Sequence, residues 1–165
     1  IKKAVLKFKP LPHRLEKVWK YRGITFYNDS LSTIPEAAVS ALQSLGGKVE
    51  TLIAGGFDRG IGFGPLAKAI IKSKVKNLIL FPTTGEKIWH EIIKVDTSAE
   101  KKYLILYTSK MEDAIKFSYR HTGFGKTCLL SNASPSFGIF KDYADRGDQF
   151  KRWVKTYAKT LRTKL

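Results

Sequence analysis

Three polar or glycine-rich stretches of this 165-residue chain carry the side-chain types that bind charged ligands. The first is Asn28-Asp29-Ser30-Leu31-Ser32-Thr33-Ile34-Pro35-Glu36. Asp29 directly follows a strand-like run, where a carboxylate can accept hydrogen bonds from a ribose or hold a magnesium-bound water. Thr33 and Glu36 have capping-box spacing, and Pro35 suits a first helical turn. The second stretch runs from Gly55 to Pro65 and holds five glycines in its first ten residues. Such a loop lets a backbone approach a ligand closely, and the helix after it offers free amide groups and a positive dipole end. Arg59 within it has the fork that clamps a carboxylate or phosphate. The third stretch, Ser131 to Tyr143, offers small hydroxyls that can bind an anion or cap the next helix.

Hydrophobic periodicity supplies the elements that must position these loops. A hairpin is predicted over Leu15–Tyr21 and Ile24–Asn28, turning at Arg22-Gly23. Strands and helices then alternate: helix Pro35–Leu45, strand Val49–Ala54, helix Pro65–Ser73, strand Asn77–Phe81, helix Gly85–Val95, strand Tyr103–Tyr107, helix Lys110–Arg120 and strand Thr127–Ser131. A long terminal helix follows, with Phe150, Trp153, Val154, Tyr157, Ala158 and Leu161 on one face and Lys151, Arg152, Lys155, Lys159 and Arg162 on the other. This order predicts an α/β, Rossmann-like three-layer sandwich: a mainly parallel sheet covered on both faces, with an antiparallel edge hairpin. The three loops then share the C-terminal edge of the sheet, where ligands of open α/β folds bind. Residues 1–9 read as helical, and Phe8-Lys9-Pro10-Leu11-Pro12 reads as a stiff connector.

Composition narrows the function. Hydrophobic residues make up 43% and charged residues 27%, an ordinary globular balance. One cysteine, Cys128, excludes a disulfide framework and a cysteine-based zinc site. Apolar runs such as Asn77–Phe81 are too short to span a bilayer, and no signal-peptide stretch opens the chain, which fits a reducing cytoplasm. The formal charge is +16, with +7 in residues 1–23 and +5 in residues 141–165. That distribution reads as solvated ends rather than a nucleic-acid groove, while favouring anionic ligands in general. Gly125-Lys126-Thr127 imitates the end of a P-loop but leads into a strand, so it reads as a turn. His90 and His121 have no partner at metal-ligand spacing and read as helix-surface residues.

The loops and their flanks resemble the C-terminal domain of the Mur ligases, ATP-dependent enzymes that add amino acids to the peptidoglycan precursor. The resembling segments are Leu11-Pro12-His13-Arg14-Leu15-Glu16, Asn28-Asp29-Ser30 with Thr33, and Ala54-Gly55-Gly56-Phe57-Asp58-Arg59-Gly60. Leu130-Ser131 through Ser136-Phe137 and Phe140-Lys141-Asp142-Tyr143 through Arg146-Gly147-Phe150 complete the set, in family order. The resemblance implies that residues 1–12 are the tail of a preceding central ATPase domain and its linker, and 13–165 the amino-acid-adding domain. It implies ATP and magnesium as cofactors, with the magnesium ligands in that central domain, and UDP-MurNAc-L-alanine and D-glutamate as substrates. By position, Arg14 and Asp29 would touch the nucleotide, and Thr33, Arg59, Ser136 and Tyr143 would surround the incoming amino acid. No catalytic or metal-binding residue is assigned to this chain, which alone is expected to be inactive. Leu31, Ile34, Asn132 and Tyr143 depart from the residues usual at those places. The competing reading is a free-standing basic module that binds RNA or another polyanion. A nucleotide-binding oxidoreductase is disfavoured by the lack of a G-x-G-x-x-G turn between a strand and a helix.

Overall fold

The computed structural model describes residues 11–162. The helix expected at 1–9 and most of the proline connector lie outside the described residues. Strands β1 (Glu16–Tyr21) and β2 (Ile24–Asn28) form the antiparallel hairpin. Its turn takes Arg22 and Gly23 to φ of 49° and 77°, the left-handed pair that a two-residue hairpin loop needs. The chain continues through α1 (Pro35–Leu45), β3 (Val49–Gly55), α2 (Gly64–Lys72), β4 (Asn77–Phe81) and α3 (Thr84–Val95). A one-turn helix α4 (Ala99–Lys102), which periodicity does not reveal, precedes β5 (Leu104–Tyr107), α5 (Met111–His121), β6 (Thr127–Leu130) and α6 (Tyr143–Arg162). Strand order is β1-β2-β6-β3-β4-β5, with every pair parallel except β1 and β2.

Two apolar layers hold the sheet, because successive strand residues face opposite sides. Leu52, Leu78, Leu80 and Leu129 pack with Ala38, Ala41 and Leu42 of α1, Leu66, Ala67 and Ile70 of α2, and Ile88 and Ile92 of α3. Ile53, Ile79, Phe81, Cys128 and Leu130 face the other way, onto Met111, Ala114 and Ile115 of α5 and Phe150 and Val154 of α6. Burial pushes the Cys128 thiol up to about 12, so it is an inert core residue. The helices after β2, β3 and β4 thus lie on one face, and those after β5 and β6 on the other. β6 returns between β2 and β3, so the chain reverses its winding where the loops after β2, β6 and β3 meet. That switch point is where an α/β sheet opens a ligand crevice.

Some expectations are corrected. β5 is an edge strand, half-exposed rather than buried, with Leu104 45% and Tyr107 50% exposed. The Thr33–Glu36 capping box does not form: Ile34 occupies the N-cap of α1 and no side chain caps it. Lys151, expected on the wet side of α6, reaches Glu16 of β1 and Asp148. The 123–126 segment is a turn, as expected, and Thr127 opens β6. His90 is exposed on α3, and His121 closes α5 against Phe117, with ring centroids 4.4 Å apart.

Ile79, fully buried on the interior strand β4, and Leu104, on the open edge strand β5, test this layering. Ile79→Ala should cost roughly 2–5 kcal/mol in urea denaturation. Leu104→Ala should cost less than about 1 kcal/mol. Equal losses would contradict the assignment of β5 to the edge.

Candidate functional site

Two buried charged side chains tie together the loops at the switch point. Asp29 is 3% exposed. Its Oδ1 accepts the Leu15 amide at 3.1 Å, and its Oδ2 accepts the hydroxyls of Ser32 and of Ser131, the latter at 2.7 Å. It therefore joins the entry to β1, its own loop and the exit of β6. Arg146, on the first turn of α6, is fully buried. Its Nε donates to Ser30 Oγ, its Nη2 to the Ser30 carbonyl and its Nη1 to the Ser134 carbonyl, all at 2.9 Å. Burial lowers its pKa to about 9, which still leaves it charged at neutral pH. Ser30 Oγ passes the connection on to the Tyr143 carbonyl at 2.7 Å.

The glycine-rich loop is packed into this framework. Gly55 donates to the Asn132 carbonyl at 2.8 Å and Phe57 to the Pro135 carbonyl at 2.9 Å. The amides of Thr83 and Thr84 both donate to the Gly56 carbonyl. Gly56 has φ 151°, and a Cβ there would strike the Pro135 carbonyl. Gly55 and Gly56 therefore serve loop-to-loop contact, not the close ligand approach expected of them. Asp58 is not a free surface charge either: Lys87 of α3 pairs with it, and its Oδ1 accepts the Gly60 amide at 2.9 Å. The Lys87 hydrogen bond holds the Asp58 pKa below its usual value.

These restraints leave a cleft of about 200 Å³ between the three loops. Thr33, Arg59, Pro135, Ser136, Phe137, Asp142 and Tyr143 line it. The four residues placed around an amino acid by sequence resemblance are thus on one cleft wall or another. Arg59 is exposed, with no ion pair among the described residues, so its guanidinium is available to an anion. Asp142 is engaged: its Oδ1 accepts the Asp145 amide at 2.8 Å, and Asp145 returns a bond from the Lys141 amide at 3.1 Å. This aspartate pair starts α6, a task expected of the loop hydroxyls. Thr33, freed from capping, and Ser136 both line the cleft. A larger hollow of about 480 Å³ lies beyond Gly60, lined by Glu86, His90, Glu91 and Lys87, the last already paired with Asp58.

The nucleotide pair is placed differently. Arg14 is exposed beside the site, whereas Asp29 spends most of its acceptor capacity on the protein. No group of three or more His, Cys, Asp or Glu among the described residues could hold a metal. No helix among them is long and apolar enough to cross a membrane. Sequence reasoning gave His13 and Arg146 no role of their own. His13 sits at φ 63° and is 7% exposed, with Nδ1 3.0 Å from Asn28 Nδ2. A Cβ at Gly147 would strike its ring. Arg146 did leave a signal: it lies four and eight residues before Phe150 and Val154, a lone cation on the apolar stripe of α6.

Comparison with known proteins agrees with this architecture. Among solved structures, UDP-N-acetylmuramate-alanine ligase MurC of Thermotoga maritima has a similar fold, with a TM-score of 0.62 at 14% identity over 96% of this chain and 33% of that one. MurF ligase of the same organism, solved in complex with ADP, gives 0.56 at 17% identity over 94% of this chain and 33% of that one. No protein-family model matches the chain. In sequence, it is 38% identical over 154 residues to the UDP-N-acetylmuramoylalanine--D-glutamate ligase of Lachnoclostridium phytofermentans, covering 93% of this chain and 32% of that protein. It is 36% identical over 159 residues to the ligase of the same name from Acetivibrio thermocellus, covering 94% and 34%. The chain is thus similar in sequence to proteins named as Mur ligases, and it spans about a third of the length of the curated relatives it matches.

Arg146→Ala should destabilise the chain by about 3 kcal/mol, since two buried carbonyl oxygens lose their donors at roughly 1–3 kcal/mol each. Chemical denaturation measures it. A loss under about 1 kcal/mol would show that water or other groups replace the guanidinium without cost.

Proposed function

We propose that this chain is the C-terminal, amino-acid-adding domain of a cytoplasmic ligase of peptidoglycan synthesis that joins D-glutamate to UDP-MurNAc-L-alanine with ATP. Residues 1–12 would be the tail of the preceding domain and its linker, and 13–165 the domain itself. The observation that carries the reading is the gathering of Thr33, Arg59, Ser136 and Tyr143 around one small cleft at the switch point. Relatives named for D-glutamate addition support the substrate, and their greater length supports a further, ATP-binding part. A cleft of about 200 Å³ is below the usual range of roughly 300–1,000 Å³ for larger ligands, and so suits an amino acid rather than a nucleotide.

In this reading the precursor's terminal carboxylate is converted to an acyl phosphate on the partner domain. The amino group of D-glutamate then attacks the acyl carbon, phosphate leaves, and the amine proton passes to solvent or a nearby base. The work of this chain is positioning. Arg59 would hold a carboxylate of D-glutamate through a charge-assisted fork, while Thr33 and Ser136 hydroxyls and the Tyr143 edge fix the amine's direction. Arg14, free on the surface, would reach toward the nucleotide, and Asp29 would offer its remaining lone pair to the ribose. Closure of the cleft against the central domain would exclude water from the acyl phosphate.

In the full-length ligase, Arg59→Ala should raise KM for the amino acid more than KM for ATP. Loss of a charged bidentate contact of about 1.5–3 kcal/mol corresponds to roughly 10- to 150-fold. An unchanged amino-acid KM would remove Arg59 from the acceptor site. The 165-residue chain by itself should release no phosphate from ATP with UDP-MurNAc-L-alanine and D-glutamate. Turnover by the pure chain would overturn the domain assignment.

A further inference from the structure

The sheet edge opposite the cleft carries an unusual charge distribution. Segments 20–23, 45–48, 72–76 and 120–126 lie at the hairpin turn and at the N-terminal ends of β3, β4 and β6. Together they contain eight lysines and arginines and no acidic residue. Among the described residues only one of the eight, Lys76, is ion-paired, to Glu50 at 3.4 Å. Lys72 and Arg120 lie in the last turns of α2 and α5, where a helix dipole accounts for them. Lys20 and Arg22 lie on the hairpin, and no helix dipole calls for them there. Charge counted along the sequence hides this cluster, because its members come from the middle of the chain as well as from its start.

The edge is shaped as well as charged. One groove, of about 330 Å³, runs between the hairpin and the end of α1, with Lys17, Lys20 and Lys48 around Tyr27. A second, of about 360 Å³, lies on the other face, with Arg22 and Arg120 around Tyr119 and Tyr157. Between them stands Phe124, 88% exposed. Its ring rests against the backbone of Gly23, where any Cβ would collide with it. The turn that carries it is fixed: Gly125 donates to the Gly23 carbonyl at 3.1 Å, Lys126 to Gly123 at 3.1 Å and Gly123 to Glu50 Oε2 at 2.6 Å. Glu50 is thereby committed to the turn and to Lys76, and among the described residues the cations of the two grooves have no ion pair.

We propose that this edge is a docking surface for single-stranded nucleic acid. Phe124 serves as a stacking platform for a base, and the two basic grooves follow the phosphates on either side. Rigid aromatic platforms beside cationic grooves are how single strands are held without sequence preference. A bilayer would instead be met by several protruding apolar side chains on a convex surface, and here one ring stands between two hollows. The surface is remote from the cleft, so the proposal is independent of the ligase reading.

The test is fluorescence anisotropy of the 165-residue chain with a labelled 12-nucleotide RNA of mixed sequence. Micromolar Kd is expected at 50 mM salt. At about 0.7 per phosphate contact, five groove cations predict a log–log salt slope of about −3 to −4. Phe124→Ala should weaken binding about tenfold while Phe124→Trp preserves it. Joint Lys17→Glu, Lys20→Glu and Lys48→Glu changes should abolish it, with each variant's thermal transition kept as a check of folding. Arg59→Ala should have no effect. Equal affinity for duplex RNA with no dependence on residue 124, or binding to phosphatidylserine vesicles but not to RNA, would overturn the proposal. So would retention of affinity by the triple variant.

Discussion

A single cation in an uncharged cage sets the geometry of the functional edge. Arg146 is fully buried and donates from each of its three nitrogens to two carbonyl oxygens and a hydroxyl, with no ion pair to a carboxylate among the described residues. Burying a charge this way is costly, and the cost is offset only while every donor finds its acceptor. Because those acceptors belong to the loops after β2 and β6, the arginine is stable only if both loops hold one position. Asp29 applies the same logic from the other side, drawing Leu15, Ser32 and Ser131 onto one carboxylate. The close approaches this requires are seen at Gly56 and Gly147, where a Cβ would strike Pro135 or His13.

The division of labour among charged groups follows. Asp29, Asp58, Asp142 and Arg146 are spent on the protein's own backbone and side chains, which holds the cleft open without a ligand. Arg59 is left over, exposed on a loop whose start is pinned by Gly55–Asn132 and Phe57–Pro135 hydrogen bonds. A free cation on a fixed loop, with two hydroxyls and an aromatic edge opposite, suits selection of a small carboxylate at modest entropic cost. Phe57 and Phe137, edge-to-face at 6.0 Å and both about half exposed, sit at the same loops.

Much of this was legible in the residues. Period-2 and period-3.6 patterns located every strand and the five longer helices within the described residues, and α1 and β4 have the expected bounds. The buried faces of α5 and α6 were also readable, since Met111, Ala114, Ile115 and Ser118, or Phe150, Val154 and Ala158, repeat at helical spacing. β5 looked like a core strand because Leu104-Ile105-Leu106-Tyr107 carries no alternation, and only strand order reveals an edge. The cleft's membership was legible through family order, but not the work of its neighbours. Whether an aspartate in a loop faces a ligand or its own backbone depends on which loops the topology brings together. Asp29 and Asp58 have the same local signal as ligand-binding residues, and tertiary contacts decide otherwise for much of their hydrogen-bonding capacity. Arg146 shows the converse: its place on an apolar stripe marked it for burial, and charge alone hid that.

The central claim is that the restrained loops form a preformed seat for an acidic amino acid. It is tested most directly by titrating D-glutamate into the isotope-labelled chain and following backbone amide resonances. The account predicts saturable shifts at Thr33, Arg59, Ser136 and Tyr143, absent in Arg59→Ala and absent from the Phe124 edge. Shifts confined to other surfaces, or none at this cleft up to the solubility of glutamate, would contradict it.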